Sequence, residues 1–289
     1  MTSFENTVVF LFLLFNFSVK AQLPETDIFL YEIKKTATTV ILHKGENITN
    51  RAGYDNQPFF MPDNKTILFV SIKEDKQADI YKYEIKSKKI TPLTHTTTSE
   101  YSPVLSPDGK SISAVVVETD STQRIWSVKP DGSSQSLLTE QEDSIGYYTW
   151  LNNDTLLFYK LSDPHSLHAY SLSQHKDVWL ADNITRSFKA CDKNTFFYVL
   201  KEKDKNTVRH YDIRIKKSSE YAVAKAENED FIWDKTLGLV KSEGAKLLRY
   251  KPEIKTWLEI ADFSGAGVAK ITRFAFSANG RYLAFVSNK

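Results

Sequence analysis

Residues Tyr101 to Val117 read YSPVLSPDGKSISAVVV, and the middle of this run, Ser106-Pro107-Asp108-Gly109, is suited to reversing the chain. Proline presets its own φ, an aspartate can bond the backbone two residues on, and glycine accepts positive φ at no steric cost. The flanks are small and β-branched, which favours strands. The run therefore predicts a β-hairpin, and the same hairpin recurs along the chain.

Equivalent turns stand at Pro62-Asp63-Asn64, Asn152-Asn153-Asp154, Asp192-Lys193-Asn194, Asp234-Lys235 and Ala278-Asn279-Gly280. Taken at positions 63, 108, 153, 193, 235 and 279, the steps are 45, 45, 40, 42 and 44 residues. Each turn is followed by an apolar strand, then by a strand with a central aromatic, then by a short polar one. A repeat of this length with four strands predicts the blades of a β-propeller. The last repeat stops after two strands. Its missing partners stand at the other end, where DIFLYEI (27–33) nearly duplicates DIYKYEI (79–85) and ATTVILH (37–43) follows. The fold class expected is all-β: a six-bladed β-propeller whose closing blade is shared between N-terminal strands (27–43) and C-terminal strands (273–287).

Three strings, GYDNQPFFMPDNKTILFVS (53–71), SEYSPVLSPDGK (99–110) and TRFAFSANGRYLAFVS (272–287), resemble the S-P-D-G repeats of the TolB-like six-bladed propellers. The resemblance runs over essentially the whole chain after its leader. It implies the propeller fold and an envelope setting in which TolB itself binds a peptidoglycan-associated lipoprotein. TolB has a further domain ahead of its propeller, which is not expected here, since only about five residues separate the expected cleavage point from the first strand. Similar repeats also form the regulatory propeller of prolyl-oligopeptidase-type peptidases, but no hydrolase domain is expected here.

Composition narrows the function classes. A hydrophobic share of 41% supplies a core, and a net charge of +2 gives no basic excess of the kind a nucleic-acid binder carries. The apolar run Val8 to Phe17 is too short to span a bilayer and matches the core of a secretory signal peptide, with cleavage after Ala21. The expected organisation is a leader (1–21) and a single propeller domain (22–289), periplasmic or secreted, with no integral membrane segment, as a monomer. Cys191 is the only cysteine, so no intramolecular disulfide forms.

No G-x-S-x-G, P-loop or H-E-x-x-H is present, and no cofactor is expected. His165 and His168 lie close in sequence, but a spacing of three on a strand points their rings to opposite faces, which argues against a metal site. The loops just before each innermost strand gather around one mouth of a propeller's central channel. In register, these are Asp55, Asn56 and Gln57; Glu100, Tyr101 and Ser102; Ser144 to Gly146; Ile184 to Arg186; Glu229 and Asp230; and Thr272 and Arg273, with Tyr54 and Tyr147 at the border. The binding residues expected from this set are Asp55, Asn56, Gln57, Glu100, Tyr101, Tyr147, Arg186, Asp230 and Arg273. Mixed charge with aromatic rims suits a protein, peptide or glycan partner. The alternative is that Asp55, Glu100, Glu229 and Asp230 converge on a hard cation, as in a metal-dependent hydrolase of the lactonase or gluconolactonase type. Lysines recur in the outer hairpins, among them Lys35, Lys88, Lys129, Lys176, Lys216 and Lys255, where edge protection is their expected role.

Overall fold

The computed structural model describes residues 24–74 and 76–288, so the expected leader and its cleavage point lie outside the described residues. The chain opens with β1 (Thr26–Lys35) and β2 (Val40–Asn47). Blade one then comprises β3 (Tyr54–Phe60), β4 (Thr66–Ile72), β5 (Ala78–Glu84) and β6 (Lys89–Pro92). Blade two is β7 (Ser99–Leu105), β8 (Ile112–Val117), β9 (Gln123–Val128) and β10 (Gln135–Leu137). Blade three is β11 (Ile145–Trp150), β12 (Thr155–Lys160), β13 (Ser166–Ser171) and β14 (Lys176–Asp182). Blade four is β15 (Ile184–Ala190), β16 (Thr195–Lys201), β17 (Lys205–Asp212) and β18 (Lys217–Lys225). Blade five is β19 (Phe231–Asp234), β20 (Gly238–Glu243), β21 (Lys246–Lys251) and β22 (Thr256–Asp262). The chain ends with β23 (Ile271–Phe276) and β24 (Tyr282–Asn288).

Blade six takes its strands from both ends, in the order β23, β24, β1, β2. Ile28 pairs with Val286 and Leu30 with Ala284 in an antiparallel ladder that runs from Thr26 to Glu32. The expected division of the closing blade is therefore the observed one. A single parallel contact, Thr26 with Tyr54, ties blade six to blade one.

The recurrent turn has one chemistry. Asp63 accepts from the amide of Lys65, Asp108 from Lys110, Asn152 from Asp154, Asp192 from Asn194, Asp234 from Thr236 and Asn279 from Arg281. Each is a side chain satisfying the backbone two residues on, which is why Asp and Asn mark the period so regularly.

Burial peaks in the second strand of each blade and falls off outward. β4, β8, β12, β16 and β24 are buried almost throughout, whereas the outermost β10 and β14 are mostly exposed. Strands covered on both faces read as continuous apolar runs. The covering is done by the neighbouring blade, and each blade interface has its own core. Leu68 and Ile112 sit between blades one and two, and Val115 and Phe158 between two and three. Leu157 and Phe196 lie between three and four, and Val199 and Leu239 between four and five. Leu247 and Phe285 lie between five and six, and Val286 and Phe69 between six and one. Six cores in cyclic order close the ring. No helix among the described residues is long and apolar enough to cross a membrane.

Candidate functional site

The innermost strand of every blade borders a central cavity of about 120 Å³. Its walls are Gln57 to Phe59, Ser102 to Val104, Tyr147 and Tyr148, Arg186 to Lys189, Asp230 to Ile232, and Arg273 and Phe274. A common irregularity brings these residues there. Pairing to the second strand slips between Asn56 and Phe59, Tyr101 and Val104, Ile145 and Tyr147, Ile184 and Phe188, and Ile271 and Arg273. Such bulges bend the strand and re-aim its side chains. Gln57 and Ser102 take the same left-handed conformation, φ 59° and 56°, and Gln57 Oε1 accepts the Ser102 amide at 2.6 Å, joining blades one and two at the channel wall.

Charge is distributed unevenly around the cavity. Arg186 Nη2 donates to both carboxylate oxygens of Asp230, at 2.9 and 3.1 Å. Burial pushes the Asp230 carboxyl above its ordinary range, with Arg186 and Arg273 opposing the effect. Arg273 lies over the ring of Tyr147, 5.0 Å from its centroid, and makes no ion pair among the described residues. Burial raises the Tyr54 hydroxyl to about 12, against the influence of Arg273 and Arg186 close by. Lys189 borders the same cavity and also has no ion-pair partner among the described residues. Its side chain is exposed to water inside the channel, yet the protein around it pushes its ammonium pKa down, and Arg273 adds to the shift.

Of the residues expected at the mouth, Gln57, Tyr147, Arg186, Asp230 and Arg273 do line the cavity. The remaining four are placed elsewhere. Asp55 is fully buried and receives Arg51 Nη2 at 2.6 Å. Asn56 is buried and accepts the following amide, that of Gln57. Glu100 is buried and accepts hydroxyl hydrogen bonds from Thr94, Thr96 and Thr98, which fasten the link between blades one and two. Tyr101 packs half-buried among the apolar residues of the first three blades. Glu229 reaches outward to Lys201 at 3.8 Å. The four carboxylates thus do not meet, and no cluster of three or more acidic, His or Cys side chains suited to a metal occurs among the described residues.

Four further residues named in the sequence have defined surroundings. His168 is engaged at both nitrogens, by Ser166 Oγ at 2.9 Å and Asp177 Oδ2 at 2.7 Å, and stacks on Phe158, while His165 lies against Tyr159. Burial raises the Cys191 thiol to about 12, so it is no thiolate at neutral pH. Lys35 departs from the edge-protecting role, because it pairs with Asp234 of blade five at 2.5 Å and is largely buried. Sequence reasoning missed Lys189. Its signal was a second cation, three residues after Arg186, in ITRSFKA, a strand otherwise fit for the hub.

A family model described as the TolB beta propeller domain matches residues 18–177, more than half of the chain. The chain belongs to that family. Among solved structures, this TolB-type propeller is similar to a TolB candidate from Agrobacterium tumefaciens, with TM-score 0.66, 11% identity, and coverage of 93% of this chain and 99% of that one. It is also similar to a gluconolactonase from Xanthomonas campestris (TM-score 0.62, 10% identity, coverage 93% and 96%). An oligogalacturonate lyase from Vibrio parahaemolyticus gives TM-score 0.62 at 11% identity, with coverage of 90% and 91%. At these identities the likeness is one of fold. No curated protein matches the chain in sequence.

Proposed function

We propose that this TolB-type propeller is a non-catalytic binding or scaffold module, exported by its leader (1–21) to the periplasm or beyond as a single domain. In this reading its channel mouth recognises a protein, peptide or glycan. The observation that carries the reading is the convergence of Gln57, Tyr147, Arg186, Asp230 and Arg273, from five different blades, on one cavity. Such a site offers cation, carboxylate, amide and aromatic face within one small mouth, the mixture that fixes orientation and specificity in binding sites. The metal-dependent hydrolase reading draws less support, because Asp55 and Glu100, two of the four carboxylates it needs, are committed to Arg51 and to three threonines.

The test is affinity capture from envelope extract with the wild-type chain and with Arg186→Glu/Arg273→Glu. The expected result is a partner held by the wild type and lost by the variant. Equal capture by both removes the mouth as the binding surface. A rise in melting temperature with Ca²⁺ or Zn²⁺ would favour the hydrolase instead.

A further inference from the structure

Counting charges around the cavity leaves an excess. Three cations line it, Arg186, Lys189 and Arg273, against one carboxylate, Asp230. Asp230 is taken by a single nitrogen of Arg186, and Arg186 Nε is buried without a hydrogen-bond partner. Arg273 has only the face of Tyr147, and Lys189 has no ion pair among the described residues. A cation held in a protein-walled cavity without a counter-charge is costly, and charge-assisted hydrogen bonds to an incoming anion relieve that cost.

We infer that the channel beside Lys189 and Arg273 receives the free C-terminal carboxylate of an extended peptide. The inference deepens the binding reading and rests on it. The cavity, about 120 Å³, has room for a carboxylate and a small side chain. Shape agrees, since a channel along the hub admits a chain end-on, with Tyr147 at the rim and Pro58 and Pro103 as apolar wall. Lys189 and Arg273, which border the same cavity, hold the carboxylate together.

The experiment titrates the full chain, by calorimetry and by melting temperature, with a pool of random N-acetylated tetrapeptides bearing free C-terminal carboxylates. The same pool with amidated C-termini and galacturonate are the comparison probes. The expected result is that the free-acid pool binds and raises the melting temperature while the amidated pool does not. Lys189→Gln should lower the affinity for the free-acid pool tenfold or more. Since that variant removes an unpaired cation, it should remain folded; should it not, Arg273→Gln reads the same contact. Equal binding of the two pools, binding of galacturonate alone, or no binding of any probe overturns the carboxylate assignment. The capture experiment with Arg186→Glu/Arg273→Glu judges the mouth separately, because it does not depend on how the partner's chain ends.

Discussion

A single nitrogen of Arg186, Nη2, donates to both oxygens of Asp230 and so joins blade four to blade five at the channel wall. The pair is only partly shielded, with 28% and 11% of the two side chains exposed. Truncating one partner leaves the other charge semi-buried and unmatched. Asp230→Ala should therefore cost about 1.5–3 kcal/mol in urea unfolding. Adding Arg186→Ala should return part of that loss, a coupling that a double-mutant cycle measures.

The buried Glu100 makes a prediction about pH. Burial raises its carboxyl pKa, opposed by hydrogen bonds from Thr96, Thr94 and Thr98. The folded state thus holds its proton more tightly than the unfolded chain does. The contribution to stability is full below the ordinary glutamate pKa and is lost as pH rises through the raised folded value. Asp55 and Asp230 shift in the same direction, also mainly by burial. Glu100→Gln should flatten the fall in stability over that window, measured as denaturation midpoints between mildly acidic and neutral pH. A wild-type curve parallel to the variant's contradicts this.

His168 ties Ser166 on its own strand to Asp177 on the next, an arrangement of Ser, His and Asp buried in the outer half of blade three. Ser166 is only 4% exposed, so the three act as a lock between strands. His168→Leu keeps the apolar contact with Phe158 but strands the Asp177 carboxylate, whose Oδ1 already lacks a partner. The expected loss is about 1–3 kcal/mol.

Two turns with identical sequence should respond differently to alanine. Pro107-Asp108-Gly109 and Pro130-Asp131-Gly132 both place glycine at positive φ, 72° and 86°. A Cβ at Gly109 meets nothing within 4 Å, so Gly109→Ala costs the left-handed backbone alone, about 1–2 kcal/mol. At Gly132 the added carbon would stand 2.2 Å from the Leu93 carbonyl oxygen, so the loop from blade one must also move. Gly132→Ala should lower the melting temperature further than Gly109→Ala.

The closing blade has an aromatic centre. Phe285 is fully buried and stacks with Phe29 at 5.4 Å and Tyr31 at 5.6 Å, with Phe263 edge-on at 4.8 Å. Phe285→Ala should cost about 3–5 kcal/mol, read from the urea midpoint. Deleting Asp27 to Ile33 removes the same contacts together with the ladder to β24, and cooperative unfolding should be lost.

The fold was legible because one turn chemistry repeats. Asp or Asn at the six turns is demanded by a local hydrogen bond, and local demands leave a mark in sequence. The site was half legible. Register alone puts Gln57, Arg186, Asp230 and Arg273 near the hub, and there the cavity finds them. Asp55 and Glu100 stand before the bulges that follow Asn56 and Tyr101 and are buried instead of lining the cavity. Their partners, Arg51 and the threonines 94, 96 and 98, lie in loops whose path no periodicity predicts.

The pairing of Ile28 with Val286 has a consequence for how the chain is made. β1 leaves the ribosome well before its partner β24, with every other strand of the propeller between them. Until β24 emerges, β1 has no neighbour on the side that β24 will occupy, and this pairing of distant segments is also the one that completes the ring. Such late, non-local pairing slows folding and leaves a strand open to wrong partners. Any cellular factor that protects the nascent chain therefore has one segment above all to guard, the first strand of the propeller.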